Sequence, residues 1–182
     1  MSKALLVIDI QNDYFPGGAM ELVGSPAAGR EAGRLLEKFR QMSLPVIHIQ
    51  HISTRKGAGF FIADTHGVEL HESVSPLPGE PVFQKNYPNS FRETSLLEHL
   101  RETGVSRLVI AGMMTQMCVD STTRAAADLG FSCILAHDAC ATRDLTFNET
   151  TVSAHNVQTA FLAALNGLFA QVLTVEEVCA RL

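Results

Sequence analysis

The sequence predicts an α/β fold on a mostly parallel sheet, and three observations carry that reading. Short runs rich in Val, Ile and Leu recur along the chain, longer segments of helical period separate them, and cap residues fall at the junctions. The apolar runs are ALLVID (4–9), PVIHIQH (45–51), PVFQK (81–85), RLVIAG (107–112), SCILAH (132–137) and AQVLT (170–174). Helices are predicted near 26–42, 93–103, 118–129 and 148–166, with a last one near 175–181.

The caps agree with these boundaries. Ser25 and Pro26 open the first helix, Gly104 and Gly130 close two others, and Thr174 followed by Glu176 and Glu177 starts the last. The stretch 53–80 stands apart, being too long and too rich in Gly, His and Pro for a simple connection. It is expected to cover or line a site and to carry substrate choice.

The 182 residues fit one domain spanning 1–182, and the 46% hydrophobic content can build a substantial core. The 14 basic residues against 19 acidic ones form no Lys/Arg stripe, so a nucleic acid is not an expected partner. The apolar run before Asp9 is about five residues long, too short for a signal-peptide core or a membrane span. A cytoplasmic protein without a membrane partner is expected. Cys118, Cys133, Cys140 and Cys179 show neither CxxC spacing nor the density of a disulfide scaffold. Cys133, Cys140 and Cys179 read as core thiols.

In open parallel sheets ligands bind beyond the carboxyl ends of the strands. Asp9 ends the first apolar run, Lys85 ends the third, and Cys118 follows the fourth at the start of a predicted helix. A carboxylate ending a buried strand needs a partner, and Lys85 is the natural one. The helix start and a nearby ammonium would both favour a thiolate at Cys118. Together the three supply a nucleophile, a proton carrier and a positive charge.

The segments VIDIQNDY, FQKNYPNSF, and IAGMMTQMCVDSTTRAAADLGF followed by HDACAT resemble the isochorismatase-like cysteine hydrolases, from about Lys3 to Val175. That resemblance implies a three-layer α/β/α, Rossmann-like fold with a six-stranded, mostly parallel sheet and helices on both faces. It implies a catalytic triad of Asp9, Lys85 and Cys118. It further implies a cis peptide between Met113 and Met114 that turns the backbone N–H groups of Met114 and Cys118 toward a developing oxyanion. The reaction it implies is hydrolysis of an amide, carbamoyl or imide-type C–N bond of a small molecule through a thioester. A homodimer or homotetramer is the implied assembly.

Gln11, Tyr14, Phe15, Phe61 and Phe91 flank the triad motifs and are candidate pocket residues, with Met114 and Met117 as wall-forming side chains. Met113 reads as packing and His155 as structural. Nicotinamidases, a branch of the same family, hold a metal through an Asp-x-His and further histidines. The corresponding strand end here reads HIQHIS, without that motif. Besides His66 and His71, the candidates are His48 and His51, which lie an odd number of positions apart on a strand and should face opposite sides, and no carboxylate ligand follows them nearby until Asp64. Neither a metal nor another cofactor is expected. The isochorismatases that cleave a vinyl ether lack the cysteine, which turns the expectation away from that reaction. A silent binding protein on the same fold remains the non-enzymatic alternative.

Overall fold

The computed structural model describes residues 2–182. Its strands are β1 (Ser2–Ile8), β2 (Val46–His51), β3 (Val82–Lys85), β4 (Val105–Met113), β5 (Ser132–Ala141), β6 (Leu145–Phe147), β7 (Thr150–Val152) and β8 (Gln171–Leu173). Its helices are α1 (Ser25–Gln41), α2 (Leu96–Glu102), α3 (Asp120–Asp128), α4 (Ala154–Leu165) and α5 (Val175–Cys179). Six strands pair in parallel in the order β3-β2-β1-β4-β5-β8, and β6 with β7 makes a separate antiparallel hairpin. The strand order reverses between β1 and β4, which places a crevice at their carboxyl ends.

Burial explains the layers. Ala4 to Ile8 have no exposed surface, and successive side chains point to opposite faces of the sheet. Leu5 and Val7 pack with α1 and α5 on one face; Ala4, Leu6 and Ile8 pack with α2, α3 and α4 on the other. Each such Leu, Ile or Val contributes roughly 1.5–3 kcal/mol, so β1 is anchored from both sides. Gly112 lets β4 close on it. A side chain there would put Cβ 2.1 Å from the Ile8 carbonyl oxygen, at a φ of 151° that favours glycine.

The structure departs from the predicted elements in three places. The first part of the helix expected over 148–166 is the β6–β7 hairpin, because Asn148 and Glu149 take positive φ and Thr150, Thr151 and Val152 favour extended backbone. Helix α4 starts only at Ala154, capped by the Ser153 side chain. The helix expected from 93 begins at Leu96, since Glu93 has a φ of 56°. The segment from Thr115 to Val119 is π-wound rather than α-helical.

The stretch 53–80 crosses the carboxyl end of the sheet with only two single 3₁₀ turns, His66–Val68 and Glu72–Val74. Its far end is pinned by Glu80, which accepts from Arg40 at 2.8 and 2.7 Å and from the Leu77 N–H at 2.9 Å. Glu80 also bonds His48 Nε2 at 3.0 Å. Among the described residues no helix is long and apolar enough to cross a membrane.

Candidate active site

Asp9 follows β1 directly and has a φ of 50°. Aspartate tolerates this left-handed conformation better than most residues, although it still costs about 1–3 kcal/mol. Lys85 ends β3, two strands away and therefore roughly 10 Å across the sheet. Its long stem spans that gap over β2. Lys85 Nζ lies 2.6 Å from Asp9 Oδ2 and donates to His51 Nδ1 and to the Tyr87 carbonyl, each at 3.0 Å. All three ammonium protons are thus engaged.

Both charged side chains are fully buried. Burial alone would lower the Lys85 pKa, but Asp9 and Cys118 outweigh it and the net shift is upward. The ammonium therefore stays charged. Apart from that ion pair, neither oxygen of Asp9 has a well-aligned hydrogen bond among the described residues.

Cys118 lies in the π-wound turn, 5% exposed. That turn is fastened to the end of β5: Thr115 Oγ1 donates to the Ala141 carbonyl, and Thr142 Oγ1 donates to Gln116 Oε1. Burial raises the Cys118 pKa well above the ordinary thiol range, and the Asp9 charge raises it further, against a smaller opposite pull from Lys85. The resting group is a thiol. This corrects the thiolate expected from the helix start and Lys85: the turn is not the start of an α-helix, and desolvation with Asp9 wins.

The Met113–Met114 peptide is cis. The Met114 N–H has no hydrogen-bond partner among the described residues, while the Met114 carbonyl accepts from Met117 and Val119. An unengaged N–H beside the cysteine is the kind of donor that can receive an oxyanion.

A cavity of about 470 Å³ opens above these groups. Tyr14, Phe60, Phe61, Met114 and Met117 supply apolar wall, and His51 and Asn86 are among its polar lining. Of the residues singled out from the sequence, Tyr14, Phe61, Met114, Met117 and Cys118 line it. Gln11, Phe15 and Phe91 do not. Gln11 instead grips the His51 backbone, Phe15 stacks on His71 at 3.5 Å, and Phe91 packs against Phe131. Tyr14 keeps its proton, its pKa raised above all by burial.

Two residues of the site had no signal in the motifs. Asp13 is buried and accepts from the Phe61 N–H at 2.6 Å and the Ala19 N–H at 3.1 Å, so it sets the wall residue Phe61 in place. His51 touches Lys85 because β2 and β3 pair with these two residues in register.

The histidines do not gather a nicotinamidase-type metal set. His48 faces Glu80 and Arg40 on the α1 side, His66 pairs with Glu69 on the surface, and His71 stacks on Phe15. One nitrogen of His51, one oxygen of Asp9 and Cys118 Sγ do lie within 4.8 Å of one another. The Lys85 ammonium already holds Asp9 and His51 there, so a cation is present without a metal and the residues do not fit one.

The isochorismatase domain matches residues 3–177. The isochorismatase family protein YddQ of Bacillus subtilis (strain 168) is 50% identical over 176 residues, 97% of this chain and 98% of that protein. The ureidoacrylate amidohydrolase RutB of Variovorax paradoxus (strain S110) is 27% identical, over 87% of this chain and 76% of its own. A crystal structure of an isochorismatase-type hydrolase from Oleispira antarctica superposes with a TM-score of 0.94 at 47% identity, covering 98% of this chain and 96% of that one. With the six-stranded α/β sheet and the buried Asp9, Lys85 and Cys118 at its carboxyl edge, these likenesses place the chain in the isochorismatase family of hydrolases.

Proposed function

We propose that this protein hydrolyses the C–N bond of a small amide, carbamoyl or imide-type compound, with Cys118 as nucleophile. The observation that carries the reading is a buried thiol that lines a cavity, with a buried carboxylate close by and a buried ammonium paired to that carboxylate. An amidohydrolase among the relatives supports the bond type.

Asp9 takes the thiol proton as Cys118 Sγ bonds to the carbonyl carbon. The carbonyl oxygen becomes an oxyanion facing the Met114 and Cys118 N–H groups. Asp9 then returns the proton to the leaving nitrogen as the C–N bond breaks, which leaves a thioester on Cys118. Water attacks that thioester with Asp9 as base, the acid departs, and the proton returns to sulfur. Lys85 stays charged throughout and balances whichever of Asp9 and Cys118 is anionic.

The aromatic and methionine walls suit an acyl part with a compact apolar body. A screen for ammonia release over small amides, ureides and N-carbamoyl compounds tests the reading. Turnover of at least one class by the wild type, abolished in Cys118→Ala, is expected; a fully active Cys118→Ala variant would reject it.

A further inference from the structure

His51 ends β2 between the strands that carry Asp9 and Lys85. Gln11 fixes its backbone from both sides, Oε1 accepting from the His51 N–H at 2.8 Å and Nε2 donating to the His51 carbonyl at 2.9 Å. The backbone that carries the ring is therefore fixed. Its Nδ1 lies 3.0 Å from Lys85 Nζ. An ammonium can only donate, so Nδ1 must be the lone-pair nitrogen, and the neutral ring then carries its proton on Nε2.

The ring stays neutral. Burial lowers the His51 pKa, Asp9 pulls it up, Lys85 pushes it down, and the net shift is downward. Nε2 has no partner among the described residues, while His51 lines the cavity with the Phe61 ring 5.8 Å from its own. The mechanism above makes no use of this N–H. The Nε2 atom is not sealed off from the cavity, so a ligand acceptor can reach it.

We propose that His51 is a substrate-binding residue whose Nε2–H donates to a second carbonyl oxygen of the substrate, close in the molecule to the carbonyl that Cys118 attacks. The proposal rests on the reading of Cys118 as nucleophile and narrows it to dicarbonyl-type amides. A His51 ring nitrogen lies within 4.8 Å of Cys118 Sγ, and both residues line the same cavity, so the ring stands beside the nucleophile. Lys85 acts here on the tautomer, holding Nδ1 as acceptor so that Nε2 must be the donor.

Acetoacetamide and butyramide test this, because they differ in little but the second carbonyl. Each is titrated as a protectant of Cys118 against iodoacetamide, with adduct formation read by intact mass. In the wild type, acetoacetamide should half-protect at a concentration about tenfold below butyramide, the worth of one hydrogen bond. In His51→Asn, the amide oxygen can still accept from Lys85 but no donor reaches the Nε2 position, and the two amides should protect alike. In His51→Gln, the amide nitrogen reaches that position and should restore part of the preference.

Equal protection by the two amides in the wild type, a preference that survives in His51→Asn, or protection by neither would overturn the proposal. A shifted pH profile of unliganded alkylation in His51→Asn with an unchanged preference would overturn it too, placing the effect on Lys85. Protection reads binding alone, so an active Cys118→Ala variant in the ammonia screen would count against the nucleophile without altering this result.

Discussion

Asp9 and Cys118 follow β1 and β4, strands covered on both faces, and Lys85 ends the edge strand β3, whereas Phe60, Phe61 and the cavity residues from Ser53 to Gly59 come from a segment without a strand. The floor of the cavity is set by sheet register, a buried ion pair and a turn tied to β5. The roof is held by a few polar pins: Asp13 on Phe61, Gln11 on Val68, and Glu80 on Arg40 and His48. The proposed chemistry therefore sits on the part that the sheet fixes, and the proposed substrate selection on the part that sequence change can reshape without disturbing the sheet.

Substitutions in the two regions should separate chemistry from fit. Asp9→Asn, in the floor, removes the proton carrier and should lower turnover by about 10²- to 10⁴-fold. It also removes a charge that raises the Cys118 pKa while Lys85 remains, so alkylation of Cys118 by iodoacetamide should move to lower pH. Faster labelling with slower turnover is the signature; a variant in which both fall together would show that Asp9 only supports the fold.

Gly112→Ala attacks the floor through its backbone. Its methyl group would meet the Ile8 carbonyl, and urea denaturation should show a loss of about 3–5 kcal/mol. Asp13→Ala is the matching test in the roof. The buried Phe61 N–H and the partly buried Ala19 N–H lose their acceptor, which should cost about 1–3 kcal/mol, raise KM more than it lowers kcat, and speed proteolysis within 53–65.

The smallest effect belongs to Glu80. Arg40 above all, helped by the Leu77 N–H and His48 against the effect of burial, lowers its pKa from 4.5 to about 2. A carboxylate with a depressed folded-state pKa stabilises above its unfolded value and loses that contribution as pH falls. Glu80→Gln should thus be less stable than wild type by about 1–2 kcal/mol at neutral pH. The gap should close between pH 4.5 and about 2, as followed by thermal melts across pH.

The floor was largely legible in the sequence because its residues end apolar runs, and a parallel sheet exposes strand ends to one crevice. Asp9 and Lys85 end such runs, and Cys118 follows the fourth within a motif that carries the family resemblance. What escaped depends on register and on turns. His51 faces Lys85 only because β2 and β3 pair at those residues, and register across a crossover as irregular as 53–80 leaves no local mark. The π-wound turn at 115–119 has no sequence signature that separates it from an α-helix start, which is why a thiolate was expected where burial keeps a thiol. The hairpin at 145–152 did carry one: Asn148 between Thr- and Val-rich flanks is a hairpin turn signal that the helical reading of 148–166 overrode.

Direct detection of an acyl group on Cys118 bears most closely on the floor's chemistry. The enzyme is mixed with an amide that it turns over, quenched in acid during the steady state, and digested for mass analysis of the Cys118 peptide. An adduct equal to the acyl part of the substrate, present in the wild type and absent from Cys118→Ala, is expected. Full turnover with no adduct, together with an active Cys118→Ala variant, would contradict nucleophilic catalysis by this cysteine.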